Sequence, residues 1–506
     1  MSPVAQQQVQ TGASGGPAAD AVNAPQRLGR GPYVVAASVT AVLLALSGRY
    51  GPHRDELYFV AAGHHPQWGY PDQPPLTPLL AAAADTLAPG SLLALRLVSA
   101  LIVGAVVLLT AGLARDLGGG RGAQLLAAVV TGTGSGLLAI GHLLSTATLD
   151  LLFWTVLVRL VVLTLQHDRP RLWLAVGLAL GLGLENKHLV GFLAAALVLG
   201  VAATPAVRHH LRSPWAWAGA AVALAMWLPN LGWQASHGWP QLELAADIRD
   251  EYRTLGGTVQ LVGFQALLLN PIGGALALVG LIAGLRRPQW AFFRPVSIAY
   301  LVLLVGFAAT GGKHYYLLGL LPPLAAAGSV VLAENRSAYR LKVVTVLAGV
   351  TALFPVPALL PVLPATTFDA SFYPALNEDS LETVGWPQVV ATVRGVLADL
   401  PADQRRSAVV VTQNYGEAGA LLWYGVDAPV ASGHNGFGDW GPPTRPGPVV
   451  YVGFRAPEAD QLSGCRQAAT LHTGVDNEED ANAVWVCDGP AGSWRQAWKH
   501  LRRYRA

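Results

Sequence analysis

The residues best suited to chemistry follow the first apolar segment of the chain. Asp55 and Glu56 are adjacent there, and Asp72 comes soon after them in the stretch GYPDQPPL. Carboxylates beside a membrane can take a proton from a hydroxyl or an amine, because burial raises their pKa toward neutrality. Four prolines hold this stretch in a non-helical path: Pro71, Pro74, Pro75 and Pro78. The alternative interpretation is a solvated turn in which Arg54 pairs with Asp55.

Further ionisable residues lie near the ends of three later apolar segments. Asp150 lies in HLLSTATLDLLFW, the pair Lys187-His188 in GLGLENKHLVGF, and the run Lys313-His314-Tyr315 in GGKHYYLLGLLPPLA. Ionisable groups at the rim of a helix bundle usually mark a substrate or ion site. One outward-facing polar cavity accounts for all of them.

The sequence indicates no definite metal site. His53, His64 and His65 offer ligand atoms, but their spacing does not match a zinc site. Asp150 is costly in an apolar run unless it is paired. It either forms a structural ion pair, orients His142 or Lys187, or shares a divalent metal with Asp55. A divalent metal therefore stays open, and no cofactor is certain.

The composition is that of a membrane protein. Of 506 residues, 52% are apolar and 12% are charged, whereas a soluble domain carries about 25% charged residues. The net charge of +3 is too balanced for a nucleic-acid-binding protein, so nucleic acid is not an expected partner. The lipid bilayer is an expected partner.

Apolar windows of membrane-spanning character predict about 11 transmembrane helices. They lie at 32–48, 91–114, 123–141, 146–165, 172–184, 189–203, 215–231, 258–284, 295–311, 316–333 and 342–362. Residues 1–30 are rich in Gln, Gly, Ala and Ser, and we expect a disordered cytoplasmic N-terminus there. Residues 31–364 form the predicted transmembrane domain.

Loop charges predict the orientation of the chain. Loops such as RDLGGGR (115–121), HDRPR (167–171) and RHHLR (208–212) are rich in arginine and are expected in the cytoplasm. An odd number of spans then places residues 365–506 outside. Both cysteines, Cys465 and Cys487, lie in that tail, where an oxidising compartment favours a disulfide. Two free buried thiols are the alternative.

The tail has the composition and patterning of a soluble α/β domain. It holds 16 of the 30 acidic residues. Residues 407–413, 447–454 and 483–487 read as buried strands, and 377–400 has helical spacing. The glycine-rich loop SGHNGFGDWGPP (432–443) either covers the cavity, binds acceptor or is purely structural. The segment YGEAGALLWYG (415–425) is interpreted as a packed helix.

The motifs together resemble glycosyltransferase family 39. The acidic pair after the first span, followed by GYPDQPPL, is similar to the first outer loop of that family, which includes protein O-mannosyltransferases and, more distantly, lipid A aminoarabinose transferases. Leu149-Asp150, GLGLENKHLVGF and GGKHYYLLGLLPPLA resemble further family segments in the same order. Two departures are Glu185-Asn186, where small residues are usual, and Gln73, where the aminoarabinose branch has lysine. The second weakens any link to lipid A.

This resemblance implies the GT-C membrane fold and a polyprenyl-phosphate-linked sugar donor. Asp55 is then the general base, with Glu56 beside it in the catalytic pair. The residues that would bind substrate are Asp72, Asp150, Lys187, His188, Lys313, His314 and Tyr315. Among them, the two lysines and His314 would hold the phosphate of the donor. The acceptor would be an extracytoplasmic protein, lipid or cell-envelope glycan. The expected location is a bacterial plasma membrane, which the chain crosses several times. The expected reaction inverts the configuration at C1 of the sugar.

Two other functions remain open from the sequence. A transporter or flippase of polyprenyl-linked sugar needs polar residues at the membrane midplane, and Arg96 and Arg159 are the candidates for these. A non-catalytic scaffold is the third hypothesis. The chain has no DxD motif for a nucleotide-sugar site. GFAATGGKHYY lacks the glycine spacing of a phosphate loop, which argues against an ATP-driven pump.

Overall fold

The computed structural model describes residues 27–334 and 336–505, and helices dominate the first two thirds of the chain. The first ten are α1 (Arg30–Leu46), α2 (Arg54–Gly63), α3 (Leu76–Leu87), α4 (Leu92–Asp116), α5 (Arg121–Gly132), α6 (Ser135–Gly141), α7 (Thr146–Gln166), α8 (Leu172–Leu184), α9 (Leu189–Ala202) and α10 (Pro214–Ser236). The predicted disordered segment 1–30 lies almost wholly outside the described residues.

The bundle continues with seven further helices. They are α11 (Pro240–Tyr252), α12 (Leu255–Phe264), α13 (Asn270–Arg286), α14 (Arg294–Thr310), α15 (Leu321–Glu334), α16 (Ala338–Thr351) and α17 (Val356–Leu359). The window 258–284, predicted as one span, is divided between α12 and α13. Asn270 has a positive φ of 67° at this break, a backbone conformation that interrupts a helix.

Length and hydropathy alone qualify only α4 and α7 as membrane-crossing helices among the described residues. The helices α5 and α6 qualify together as a third span, bent by 55°. Several other apolar helices have 10–17 residues, shorter than the roughly 20 that a straight span needs. The count of 11 spans therefore stays a prediction, although nearly every predicted window contains a helix.

Glycines let the helices of the bundle approach closely. A Cβ atom at Gly177 of α8 would collide with the backbone of Gly219 on α10, and one at Gly280 of α13 would collide with the backbone of Leu324 on α15. Small residues at such crossings are typical of helix packing within membranes, where close van der Waals contact replaces the hydrophobic effect.

The strands of the tail are β1 (Val409–Thr412), β2 (Val430–Ser432), β3 (Val449–Gly453), β4 (Leu462–Ser463), β5 (Arg466–Thr470), β6 (Ala483–Cys487) and β7 (Gly489–Pro490). The main sheet has the order β2-β1-β3-β6-β5, in which β1 runs parallel to β2 and β3, and β6 runs antiparallel to β3 and β5. The strands β4 and β7 form a separate antiparallel pair. A disulfide joins Cys465 to Cys487.

Six helices accompany the sheet: α18 (Ala365–Asp369), α19 (Trp386–Ala398), α20 (Ala402–Ser407), α21 (Tyr415–Tyr424), α22 (Asn435–Asp439) and α23 (Trp494–Leu501). The tail packs directly on α2 of the bundle. Leu57 of α2 belongs to the apolar core of the tail, whereas Ala418 and Phe437 of the tail belong to the core of the bundle. This shared core fixes the tail over the start of α2.

Candidate functional site

The helix α2 presents the acidic pair, and its sequence determines where it begins. His53 caps the helix by accepting a hydrogen bond from the backbone N–H of Asp55, while the Glu56 side chain accepts one from the N–H of His53. This reciprocal arrangement is a capping box. It fixes Asp55 in the first helical turn, next to the tail.

The carboxylate of Asp55 is accessible to a substrate. Its side chain is 41% exposed, and its Oδ1 accepts a hydrogen bond of 2.8 Å from the hydroxyl of Tyr415, the first residue of α21. The Nδ1 of His53 lies 3.9 Å from Oδ2. An exposed carboxylate held by one hydroxyl can accept a proton from a group that enters the cavity.

Asp72 lies close to Asp55 and is bound by two different elements. Its Oδ1 accepts a hydrogen bond from the hydroxyl of Tyr58 at 3.0 Å, and its Oδ2 accepts one from the amide of Asn435 at 3.4 Å. The rings of Tyr58 and Tyr415 are 5.0 Å apart. Burial raises the pKa of Asp72 to about 7, and the charge of Asp55 acts in the same direction.

Glu56 does not share the accessibility of Asp55. Its carboxylate is fully buried and accepts hydrogen bonds from the guanidinium of Arg96 at 2.8 and 3.0 Å and from the backbone N–H of Leu144 at 2.9 Å. These bonds, with the one from His53, hold the pKa of Glu56 below its usual range. This burial favours a structural role for Glu56, and its catalytic role stays a prediction.

A small cavity brings together residues from three separate sequence motifs. Asp150, Lys187, Tyr315 and Tyr316 line it. The Nζ of Lys187 lies 5.4 Å from the ring centre of Tyr315 and 5.7 Å from that of Tyr316. Aromatic faces attract an ammonium group, so the two rings help to hold Lys187 in this position.

Asp150 is fixed within this cavity by its own helix. Its Oδ1 accepts a hydrogen bond of 3.0 Å from the indole of Trp154, four residues further along α7. No direct ion pair between Asp150 and Lys187 forms among the described residues, although both line the same cavity.

His188, predicted to bind substrate, faces another part of the bundle. Its Nε2 lies 3.0 Å from Oδ1 of Asn230 and 3.1 Å from the indole nitrogen of Trp227, both on α10. His188 does not line the cavity of Lys187. Its position indicates packing against α10, and its role in substrate binding stays a prediction.

Lys313 and His314 border the same aromatic group as Lys187. The His314 ring packs on Phe264, with centroids 4.7 Å apart, and on Tyr315 at 5.5 Å. The Nζ of Lys313 lies 5.7 Å from the ring centre of Tyr252. Burial raises the pKa of Tyr315, while the charge of Lys313 lowers it and that of Asp55 raises it. Tyr315 is therefore influenced by the charges of both Lys313 and Asp55.

Sequence reasoning missed the residues that the tail contributes. Tyr415 bonds to Asp55, Asn435 bonds to Asp72, and the backbone N–H of Gly436 donates to the hydroxyl of Tyr58. The loop 432–443 contacts Asp72 and Tyr58; its roles as a cover, an acceptor site or a purely structural loop stay predictions. The segment 415–425 contains the expected helix, but its pattern carries no signal for the hydrogen bond from Tyr415 to Asp55.

Among the described residues, Asp55 does not belong to a group of three candidate metal ligands. Within the described part of the chain, groups of three such ligands occur at two places: Glu382, Glu478 and Glu479, and Asp168, His209 and His210. The first group binds the guanidinium of Arg54, which pairs with Glu382 and Glu478 and approaches Glu479 at 3.8 Å. Neither group includes Asp55, Asp72 or Asp150.

Comparison with known proteins gives a partial family match and a whole-chain fold match. Residues 72–233 match the family model described as dolichyl-phosphate-mannose-protein mannosyltransferase. The crystal structure of ArnT from Cupriavidus metallidurans in the apo state aligns over 90% of this chain and 97% of that chain, with a TM-score of 0.59 and 14% identity. No curated protein sequence matches significantly.

A second structure of the same ArnT, bound to undecaprenyl phosphate, aligns over 92% of this chain and 98% of that chain, with a TM-score of 0.54 and 16% identity. At such identities the likeness shows the fold. The family match covers the segment that contains Asp72, Asp150 and Lys187. The chain therefore has the fold of ArnT, and its residues 72–233 match the mannosyltransferase family model, in line with the resemblance of its motifs to glycosyltransferase family 39.

Proposed function

We propose that this protein transfers one sugar from a polyprenyl-phosphate-linked donor to an acceptor outside the cytoplasm, with Asp55 as the general base. The proposal is supported by an exposed carboxylate, Asp55, whose charge acts on Tyr315. Tyr315 in turn lines the small cavity of Lys187. Transfer of a sugar from a lipid phosphate requires a base for the acceptor and fixed cations for the phosphate.

The chemistry follows from these charges. The bond between C1 of the sugar and the phosphate oxygen breaks, and its electron pair stays with the lipid phosphate. Lys187 and Lys313 offset the charge that develops on this leaving group, because an ammonium is a compact partner for phosphate. Asp55 takes the proton of the acceptor hydroxyl or amine as its lone pair attacks C1. Such a single displacement inverts the configuration at C1.

The remaining residues have supporting roles in the proposal. Asp150 attracts the ammonium of Lys187 toward the cavity, while Tyr315 and His314 border the phosphate. Asp72, bound by Tyr58 and Asn435, faces the acceptor side and orients it. The undecaprenyl phosphate in the ArnT structure supports a polyprenyl-phosphate donor of the same class.

The transporter hypothesis loses its main sequence support. Arg96 is paired with Glu56, and Arg159 is paired with Asp116 at 2.9 Å. Both arginines of the spans therefore have structural partners. A buried ion pair that is fully bonded contributes to helix packing and does not need a transported substrate.

The test uses the full chain in detergent with a panel of labelled polyprenyl-phosphate sugars and crude envelope acceptor. We expect wild type to consume one donor and Asp55→Asn to lose at least about 100-fold in rate, as for removal of a general base. Asp399→Asn, which changes an exposed aspartate of the tail, is the matched control and should behave as wild type.

Full activity of Asp55→Asn would contradict the assignment of the base. If wild type consumed no donor, yet label crossed a reconstituted bilayer, the transporter function would replace the proposal.

A further inference from the structure

Three potential metal ligands lie close together in two loop segments that are far from Asp55 in the sequence. Asp168 lies in the turn between α7 and α8. His209 and His210 lie in a 3-10 helix, Arg208–Arg212, just before α10. Their loops, HDRPR and RHHLR, belong to the set predicted to face the cytoplasm, whereas Asp55 lies in a loop predicted to face outside.

The distances within this cluster are unusual for simple hydrogen bonds. Oδ1 of Asp168 lies 3.4 Å from Nε2 of His210 and 3.7 Å from Nε2 of His209. Direct bonds between nitrogen and oxygen are mostly 2.7–3.2 Å. Ligand atoms that surround a tetrahedral zinc ion at about 2.1 Å lie roughly 3.4 Å from one another. The three atoms are therefore spaced as ligands of one ion, with little rearrangement needed.

The surroundings of the cluster provide both a fixed ligand and an open approach. The His210 side chain is 2% exposed, whereas those of His209 and Asp168 are 62% and 78% exposed. The His210 ring packs near Trp173 of α8, and the rings of His209 and His210 lie 4.4 Å apart. An ion can thus reach the cluster from solvent and meet a histidine whose orientation is already set.

One backbone feature agrees with metal binding. The backbone of Asp168 has φ of 47°, a left-handed conformation that is uncommon for residues other than glycine. This turn brings the carboxylate beside both histidine rings.

We propose that Asp168, His209 and His210 bind one divalent transition-metal ion, with Zn²⁺ as the best fit to two imidazoles and one carboxylate. A water molecule from the exposed side completes four ligands. The ion connects the turn after α7 with the turn before α10. Because it binds only the folded arrangement of these turns, it stabilises the protein by mass action.

The test is a metal titration of the full chain in detergent, purified with a tag that lacks histidine and treated with a chelator. We expect one Zn²⁺ per chain, an increase of the thermal unfolding midpoint on its addition, and cobalt absorption typical of tetrahedral coordination. Asp168→Asn and His209→Ala, both at exposed positions, should each weaken binding by more than about tenfold.

His167→Ala is the matched control, because this neighbouring histidine is exposed and lies outside the cluster; its affinity should equal that of wild type. The proposal is overturned if wild type binds no stoichiometric zinc, or if binding survives both Asp168→Asn and His209→Ala. Sugar transfer is not the readout, so the outcome is independent of the proposed enzymatic function.

Discussion

Adjacent residues can have opposite roles when a helix separates their side chains. Asp55 and Glu56 differ by about 100° around α2. Asp55 consequently stays exposed and bonds to Tyr415, whereas Glu56 points into the bundle toward Arg96. The two carboxylates are adjacent in the sequence, but burial and hydrogen bonding give them different surroundings.

Tyr415→Phe tests the contribution of the tail to the base. The change removes the hydroxyl that donates to Asp55 and keeps the ring that packs on Tyr58. Since a hydrogen bond to a charged group contributes about 1.5–3 kcal/mol, we expect kcat for sugar transfer to fall by roughly ten- to a hundredfold, with little change in KM for the donor. Tyr424→Phe, at the other end of α21, is the control. An unchanged kcat would show that Asp55 does not depend on Tyr415.

Asp72 should make stability depend on pH in a particular direction. Its pKa is about 7 in the folded protein and about 3.9 in an unfolded chain. The folded state therefore binds an extra proton between these values, and the stability that this contributes is lost as pH rises through 7. We expect the difference in thermal midpoint, Asp72→Asn minus wild type, to become more positive between pH 5 and pH 8. Asp427→Asn is the exposed control; a flat difference for Asp72→Asn would contradict the prediction.

At the scale of elements, α2 is held from both sides. Glu56 anchors it to α4 through Arg96, whose guanidinium also donates to the backbone carbonyl oxygens of Ser47 and Gly51. Arg54 anchors it to the tail through Glu382 and Glu478. The short helix thus joins bundle and tail, and the position of Asp55 depends on both.

Glu56→Gln should affect stability more than chemistry. Removing one partner of a buried ion pair leaves Arg96 with an uncompensated charge, which costs about 3–5 kcal/mol. We expect a thermal midpoint lower by several degrees and substantial sugar transfer per folded molecule. The exposed Glu458→Gln should change neither. A stable but inactive Glu56→Gln protein would return Glu56 to the catalytic group.

At the scale of the whole molecule, the charge pattern and the fold agree on which loops lie together. The turns that carry Asp168 and His209 meet, as expected for two loops on one face of the membrane. The tail meets the loop that carries Asp55, as expected for the opposite face. The disulfide lies in that tail, in keeping with an oxidising compartment.

Site-specific labelling tests this orientation. We expect a membrane-impermeant maleimide to modify Glu458→Cys in intact cells, because the tail is predicted to lie outside. Arg171→Cys, in a predicted cytoplasmic loop, should react only after permeabilisation. Both positions are exposed in the folded chain. Labelling of Arg171→Cys alone in intact cells would invert the predicted topology.

The sequence by itself determined the class of the molecule. Apolar windows, the arginine-rich loops and the acidic tail depend on local composition, which the bilayer selects directly. The GT-C fold was predicted on another ground, the resemblance of motifs in a recognisable order, and the likeness to ArnT supports that fold.

Only the tertiary structure decided what each ionisable residue does. Whether a carboxylate is exposed like Asp55 or buried like Glu56 depends on partners 40 or more residues away, such as Arg96 and Tyr415. The same holds for Asp168 and His210, which are brought together by helix packing. Composition determines where a chain enters the membrane, but burial and distance depend on contacts that no local pattern contains.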